Sequence, residues 1–357
     1  MVFFLTYIYS VLYTYCLGQA FSRFKVSSAG LFLLLSPVIV VWLIVCGGQY
    51  QVGTDYWSYR YIFEGNDLDY YLQKNEYIFV WIVSLFNILG IYGQGLFYVF
   101  YAISFYFFFL ILKRMPKMQY FLFILLYITV SNLFNNQLNT LRQSVTIYIG
   151  TYVAFLVFEN KNIKAILFIL VAILIHQSAF SLFLLFLNKI LVQKLSMNDL
   201  FVGLIIAVIL SFTLRVEILD MFSDYSNINY VGYINSGVIE ERSLFQKITK
   251  YMFIPIYLLS FFYFKRNSLG AYELLLFKWG WVSLCLRIGI LNLELVSRLF
   301  SCFLILSILP LLLYLYHLIY RRKFVIFLCV ITFLSVVYFF KTIVFGRGEY
   351  LYESIYF

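Results

Sequence analysis

Apolar runs of about 15 to 23 residues recur along the whole chain, each interrupted by a short polar loop, which is the rhythm of successive membrane helices. A bilayer core of about 30 Å takes about 20 helical residues per crossing. The pattern predicts an all-α, polytopic bundle, a single transmembrane domain over residues 1–357. Expected spans lie near 2–17, 29–46, 118–134, 143–158, 199–215, 250–265, 270–290, 297–320 and 323–341, with more from 77–112 and 165–187, giving about 12. The short alternating segments of a β-barrel do not occur.

Composition agrees with this pattern. The 357 residues are 64% hydrophobic and 12% charged, about half the charged share of a soluble domain. All five Cys lie inside apolar runs and read as small core hydrophobes, not as a disulfide frame. The first run, "MVFFLTYIYSVLYTYCLG", has no basic leader and no small-x-small cleavage site, so it reads as an uncleaved span. No nucleic-acid motif accompanies the net charge of +10.

That charge is explained by topology. Basic residues cluster in short loops: Arg23/Lys25, Lys113/Arg114/Lys117, Lys161/Lys164, Lys189/Lys194, Lys265/Arg266 and Arg321/Arg322/Lys323. Acidic residues gather elsewhere, in 47–76 (Asp55, Glu64, Asp67, Asp69, Glu76) and 215–246 (Glu217, Asp220, Asp224, Glu240, Glu241). The positive-inside rule puts the basic loops in the cytoplasm and makes 47–76 and 215–246 outer loops. Both termini then fall outside.

Parity adds two constraints. Segment 77–112 must cross an odd number of times, although it holds two apolar runs. The shorter, "YIFVWIVSLFNILG", is therefore expected to lie along the outer interface or to re-enter. The run "AILFILVAILIHQSAFSLFLLFL" joins two cytoplasmic loops and must cross an even number of times. It is expected to break at His176-Gln177-Ser178-Ala179, placing His176 at the outer tip of a hairpin. A single long helix with a buried His is the alternative, but it inverts every later loop against the charge rule.

Candidate chemistry collects on the predicted outer face: Asp55 in "VGTDY", Arg142 and Gln143 in "FNNQLNTLRQS", His176 and Ser178 in "HQSA", and Arg298 in "LNLELVSRLFSCF". An Arg at the edge of an apolar helix is a functional candidate by default, and its planar fork suits a diphosphate. Arg287 is a further candidate at less certain depth. Arg298 has a structural alternative, a pair with Glu294 one turn away. His176 suits general-base work, whereas His317, beside basic residues, reads as an interfacial aromatic. Asp55, Asp67 and Asp69 read as solvated carboxylates, so no metal is assigned. Tyr56 and its aromatic neighbours around Asp55 suit stacking on sugar rings.

The stretches "VGTDYWSY" at 52–59, "LRQSVTIYI" at 141–149, "IHQSAFSLFLLF" at 175–186 and "SRLFSCFLILSILPLL" at 297–312, in this order, resemble the EpsG-like branch of the Wzy polymerases. That family joins O-antigen or exopolysaccharide repeat units. The family often ends in a Pro-Tyr-rich tail; this chain ends "GEYLYESIYF". The resemblance implies a GT-C-like glycosyltransferase in the bacterial inner membrane, its active site facing the periplasm. The donor and acceptor it implies are glycans on undecaprenyl diphosphate, with membrane lipids around the protein, a Wzz-like chain-length regulator as partner, and no cofactor. Arg142 and Arg298 would hold the leaving diphosphate, with Gln143, Tyr56, Ser178 and Arg287 as further substrate contacts. His176 is favoured as the base and Asp55 as the group orienting acceptor or base, although the reverse assignment stays open. Competing readings are an O-antigen ligase, a lipid-linked oligosaccharide flippase and a glycan-decorating acyltransferase. A flippase is disfavoured because there are no repeated halves. The acyltransferase would want an acyl-donor site on the cytoplasmic face.

Overall fold

A computed structural model describes residues 1–214, 251–291, 294–346 and 350–356. The side chains of 188–190 and 294–296 are outside the description, as is the expected outer loop 215–246. The described residues form helices and turns without strands.

The longer helices fall near the apolar runs, while Tyr56–Phe63, Leu68–Gln73 and Leu133–Asn136 are short helices that the runs do not predict. In chain order the helices are α1 (Val2–Phe21), α2 (Ser28–Gly47), α3 (Tyr56–Phe63), α4 (Leu68–Gln73), α5 (Tyr77–Ile88), α6 (Gln94–Leu112), α7 (Tyr120–Thr129), α8 (Leu133–Asn136), α9 (Leu141–Phe158) and α10 (Asn162–Ile175). After a 3-10 segment, Gln177–Phe183, come α11 (Leu184–Lys194), α12 (Met197–Thr213), α13 (Ile254–Arg266), α14 (Ala271–Gly289), α15 (Glu294–Leu299), α16 (Leu309–Tyr320) and α17 (Phe324–Phe339). Among the described residues, five helical stretches are long and apolar enough to cross a membrane: Ser28–Gly47, Gln94–Leu112, Leu141–Phe158, Ser301–Tyr320 and Phe324–Val344. Local chemistry sets several helix starts. Ser27 Oγ accepts from Gly30 N at 3.1 Å to cap α2, and Ser196 and Asp199 exchange side chain-to-backbone bonds to open α12.

The chain divides into two compact units, Met1–Leu185 with Leu315–Phe357, and Phe186–Tyr314. In the first, Trp42 is fully buried against Phe105, Phe108, Tyr127 and Phe134. Its indole N–H donates to Ser10 Oγ at 2.8 Å. The polar stretch "FNNQLNT" is folded inside rather than left as a wet loop. Asn135 and Gln137 are fully buried, where Tyr338 donates to Asn135 at 2.9 Å and Tyr148 donates to Gln137 at 2.7 Å.

The loops of this unit sort into two sets. Lys117 Nζ donates to Phe21 O and Phe24 O, and Arg114 pairs with Glu159, so the basic loops near 23, 114 and 160 gather at one end. At the other end, Gln94 Nε2 donates to Gly47 O at 2.6 Å and Gln49 O at 2.9 Å. Gly93 N bonds Phe63 O there at 3.1 Å. The tail also joins this end: Tyr50 N bonds Glu353 O and Ile355 N bonds Gly48 O, each at 3.0 Å. Both flanks of α5 therefore sit at the acidic end. With 12 residues it is about 18 Å long, too short for a bilayer core. The parity argument needed this segment not to cross.

In the second unit α12 packs on α14. Trp281 Nε1 donates to Leu200 O at 2.8 Å, and Tyr257 OH donates to Ser307 O at 2.9 Å. A Cβ on Gly280 would sit 2.8 Å from Leu306 O and overlap Pro310, so glycine permits this close crossing.

Candidate active site

Three helix ends meet at the acidic end of the first unit. Glu76 caps the start of α5, Arg142 stands in the first turn of α9, and His176 closes α10. Helix α10 packs against both α5 and α9, and this brings the three side chains together. Glu76 is 2% exposed. One carboxylate oxygen, Oε2, pairs with Arg142 Nη1. The other, Oε1, lies 3.1 Å from His176 Nδ1.

The surroundings fix this group. Every residue of α9 except Arg142 is buried. The Arg142 guanidinium lies over Tyr71 at 4.4 Å and near Phe79 at 4.9 Å and Tyr59 at 6.0 Å, an aromatic box that favours a cation. Its Nε has no hydrogen-bond partner among the described residues. The backbone breaks at His176, extended at φ −157° and ψ 124°, and the 3-10 turn after it packs on α9 and α10. Gln177 Nε2 donates to Lys74 O, and Asn75 takes a left-handed φ of 58° to turn Glu76 inward.

Burial pushes the Glu76 carboxyl up. The hydrogen bond from His176, the charge of Arg142 and the Gln177 backbone N–H outweigh it, so Glu76 titrates below its ordinary value. Glu76 is thus a carboxylate at neutral pH. A carboxylate facing Nδ1 selects the tautomer with its proton there, leaving the Nε2 lone pair as a base. Arranged this way, the three groups hold an oriented base beside a fixed cation.

Of the candidates read from the sequence, the fold joins His176 and Arg142 through a residue that reading had counted only as part of the acidic loop. The signal for Glu76 was its position, a carboxylate directly before the apolar run "YIFVWIV". Asp55 is half-buried at the N-cap of α3. Among the described residues it makes no ion pair; its N–H donates to Asn139 Oδ1 at 2.9 Å, and Thr54 Oγ1 lies 3.0 Å from its Oδ1. Gly53, at φ +76°, allows this, since a Cβ there would meet Asn139 Oδ1 at 2.6 Å. Tyr56 is buried, stacked on Phe97 with its hydroxyl donating to Gln94 Oε1 at 2.9 Å. Gln143 is buried within α9. Ser178 is 4% exposed and its hydroxyl has no partner among the described residues. Arg287 and Arg298 belong to the second unit. Arg287 donates to Ser307 Oγ at 2.7 Å, and Arg298 is exposed in α15. Its alternative partner, Glu294, has its side chain outside the described set.

A family model described as the EpsG family matches residues 31–354, nearly the whole chain. No curated protein matches, and no solved structure matches.

Proposed function

The chain belongs to the EpsG family, a Wzy-like polymerase family, and on that premise we propose that Glu76, His176 and Arg142 form the centre of its polymer-extending reaction. The single observation carrying this reading is the buried Glu76 carboxylate shared between His176 Nδ1 and Arg142.

In the proposed reaction a sugar hydroxyl of the acceptor attacks the anomeric carbon of a glycan on undecaprenyl diphosphate. The new C–O bond forms as the bond to the diphosphate breaks. The hydroxyl proton passes to His176 Nε2, and the lipid diphosphate leaves with the bonding electrons. Before transfer the Glu76–Arg142–His176 group is neutral. After His176 takes the proton it carries one positive charge, created beside a leaving group gaining negative charge. Glu76 acts as the positioning residue for both partners. Asp55, anchored through Asn139, is assigned to the acceptor and Arg142 to the lipid diphosphate, with Gln143 and Ser178 as nearby polar contacts. The finer picture is a GT-C-like bundle of about 12 spans in the bacterial inner membrane. Its site opens to the periplasm, and a Wzz-like partner sets chain length. The support for sidedness is charge: the site lies at the acidic end of the first unit, away from the basic loops.

The test is a glycan ladder from the host lacking this protein, complemented with wild type, Glu76→Gln, His176→Ala or Arg142→Ala at matched expression. Collapse to a single repeat without the protein, restored by wild type and by none of the three variants, is the expected result. An unchanged ladder in the deletion strain overturns it. Long polymer accumulating on undecaprenyl diphosphate while its final acceptor stays bare points to a ligase instead.

A further inference from the structure

At the acidic end of the first unit lies an aromatic surface that the reaction as proposed does not use. Trp57 and Tyr356 are each 56% exposed and Tyr50 is 37% exposed. Exposed rings would ordinarily swing freely, but these are held. Trp57 and Tyr50 meet edge-to-face at 6.1 Å, and both pack on the buried Tyr56, at 5.2 and 5.8 Å. Tyr356 is fixed by the tail. Backbone bonds join 48–50 to 353–355, Tyr352 OH donates to Val45 O at 2.9 Å, and the Tyr356 and Tyr98 hydroxyls bond each other. Acceptors belong to the same segments: the half-buried Asp55 stands two residues before Trp57, and the exposed Glu353 is joined through its carbonyl to Tyr50 N.

We infer that Trp57, Tyr50 and Tyr356 form a stacking platform for a saccharide chain, with Asp55 and Glu353 accepting its hydroxyls. This rests on the polymerase reading and adds the place where the glycan lies. A pyranose presents an apolar C–H face and an equatorial rim of hydroxyls, so it needs flat rings with acceptors at their edges. The carboxylates argue against the other natural occupant of exposed Trp and Tyr, the lipid headgroup layer, where anionic groups are repelled and desolvated. They argue equally against a diphosphate. Rigid mounting matters because immobilising loose side chains on binding lowers affinity. The C-terminal segment thereby gains a role: it carries one ring of the platform and clamps residues 48–50, which lead to Asp55.

The experiment uses full-length protein in nanodiscs and, as probe, the host's surface polysaccharide released from its lipid by mild acid, with dextran as control. Trp57→Ala is expected to weaken polysaccharide binding about tenfold, the scale of losing one aromatic anchor. Trp57→Phe should keep most of it, which separates ring loss from misfolding. Glu76→Gln should bind as wild type while failing to extend the ladder, so binding and reaction are read apart. Unchanged binding by Trp57→Ala, or equal binding of dextran, overturns the platform.

Discussion

Truncating Glu76 to alanine removes the one carboxylate that, among the described residues, pairs with Arg142 or His176. Arg142 would stay in place, since its side chain is only 16% exposed and α9 holds it in the interior. Leaving a buried charge without its partner costs about 3–5 kcal/mol. The Tyr71, Phe79 and Tyr59 rings face the cation with or without Glu76 and so leave that difference unchanged. The expected loss is therefore about 3–5 kcal/mol of stability. Glu64→Ala is the control. It breaks the Arg60–Glu64 pair, whose side chains are 34% and 46% exposed, and such i,i+4 pairs contribute only about 0.3–0.5 kcal/mol. The assay is thermal unfolding of purified protein in one detergent, alongside the glycan ladder. Glu76→Ala should unfold well below Glu64→Ala and make no polymer. A Glu76→Leu/Arg142→Leu pair should recover most of the stability, because the stranded charge is gone, yet recover no activity. The reasoning is refuted if Glu76→Ala and Glu64→Ala unfold together, or if the double variant polymerises.

Other expectations follow from single contacts. Gly53→Ala must hold a φ of +76° and press a methyl onto Asn139, whereas Gly90→Ala holds a φ of +79° in open space; strain alone is about 1 kcal/mol. Gly53→Ala should therefore shorten the ladder at matched expression and Gly90→Ala should not. The depressed titration of Glu76 means its contribution to stability is complete above the ordinary glutamate value, and is lost as pH falls through the lower folded-state value. A thermal-stability profile from pH 7 downward should thus show an acid-side loss that Glu76→Gln lacks. In the second unit Gly280→Val drives side-chain atoms into Pro310 and Leu306 O, and should lower the yield of folded protein in a fluorescence-detected size-exclusion assay, with Gly203→Ala, which meets only Cys285 at 3.9 Å, as the tolerated comparison.

Much of this was legible because the sequence carries two periodic signals, apolar run length and loop charge. Run length gave the longer helices within a few residues, and charge parity anticipated that both flanks of 77–88 would lie at one end and that the 165–187 run would break at His176. A polar triplet inside an apolar run is a strong local signal. Glu76 was harder. An acidic loop contains several carboxylates, and no local pattern says which one the fold turns inward; that depends on Asn75 adopting a left-handed turn and on α10 packing beside α5. The "FNNQLNT" stretch misleads for a related reason. Its polarity suggests an exposed loop, but polar side chains can be buried when they satisfy one another, as Asn135, Gln137, Tyr148 and Tyr338 do. The pairing of the tail with residues 48–50 is long-range backbone bonding, which side-chain sequence does not encode.

The near-total burial of α9 has a consequence for how the protein is made. A helix bearing Arg142, Gln143, Ser144, Thr146 and Thr151 is a poor candidate to dwell alone in hydrocarbon as it leaves the ribosome. Its polar groups are sheltered by neighbours, and α10 and the 3-10 turn at 177–183 are synthesised only after it. Biogenesis of this chain should then be cooperative, with α9 retained at the insertion machinery, or held against α6, until α10 arrives to enclose it. Loss of α10 would leave the helix of Arg142 stranded, a quality-control signal built into the order of synthesis.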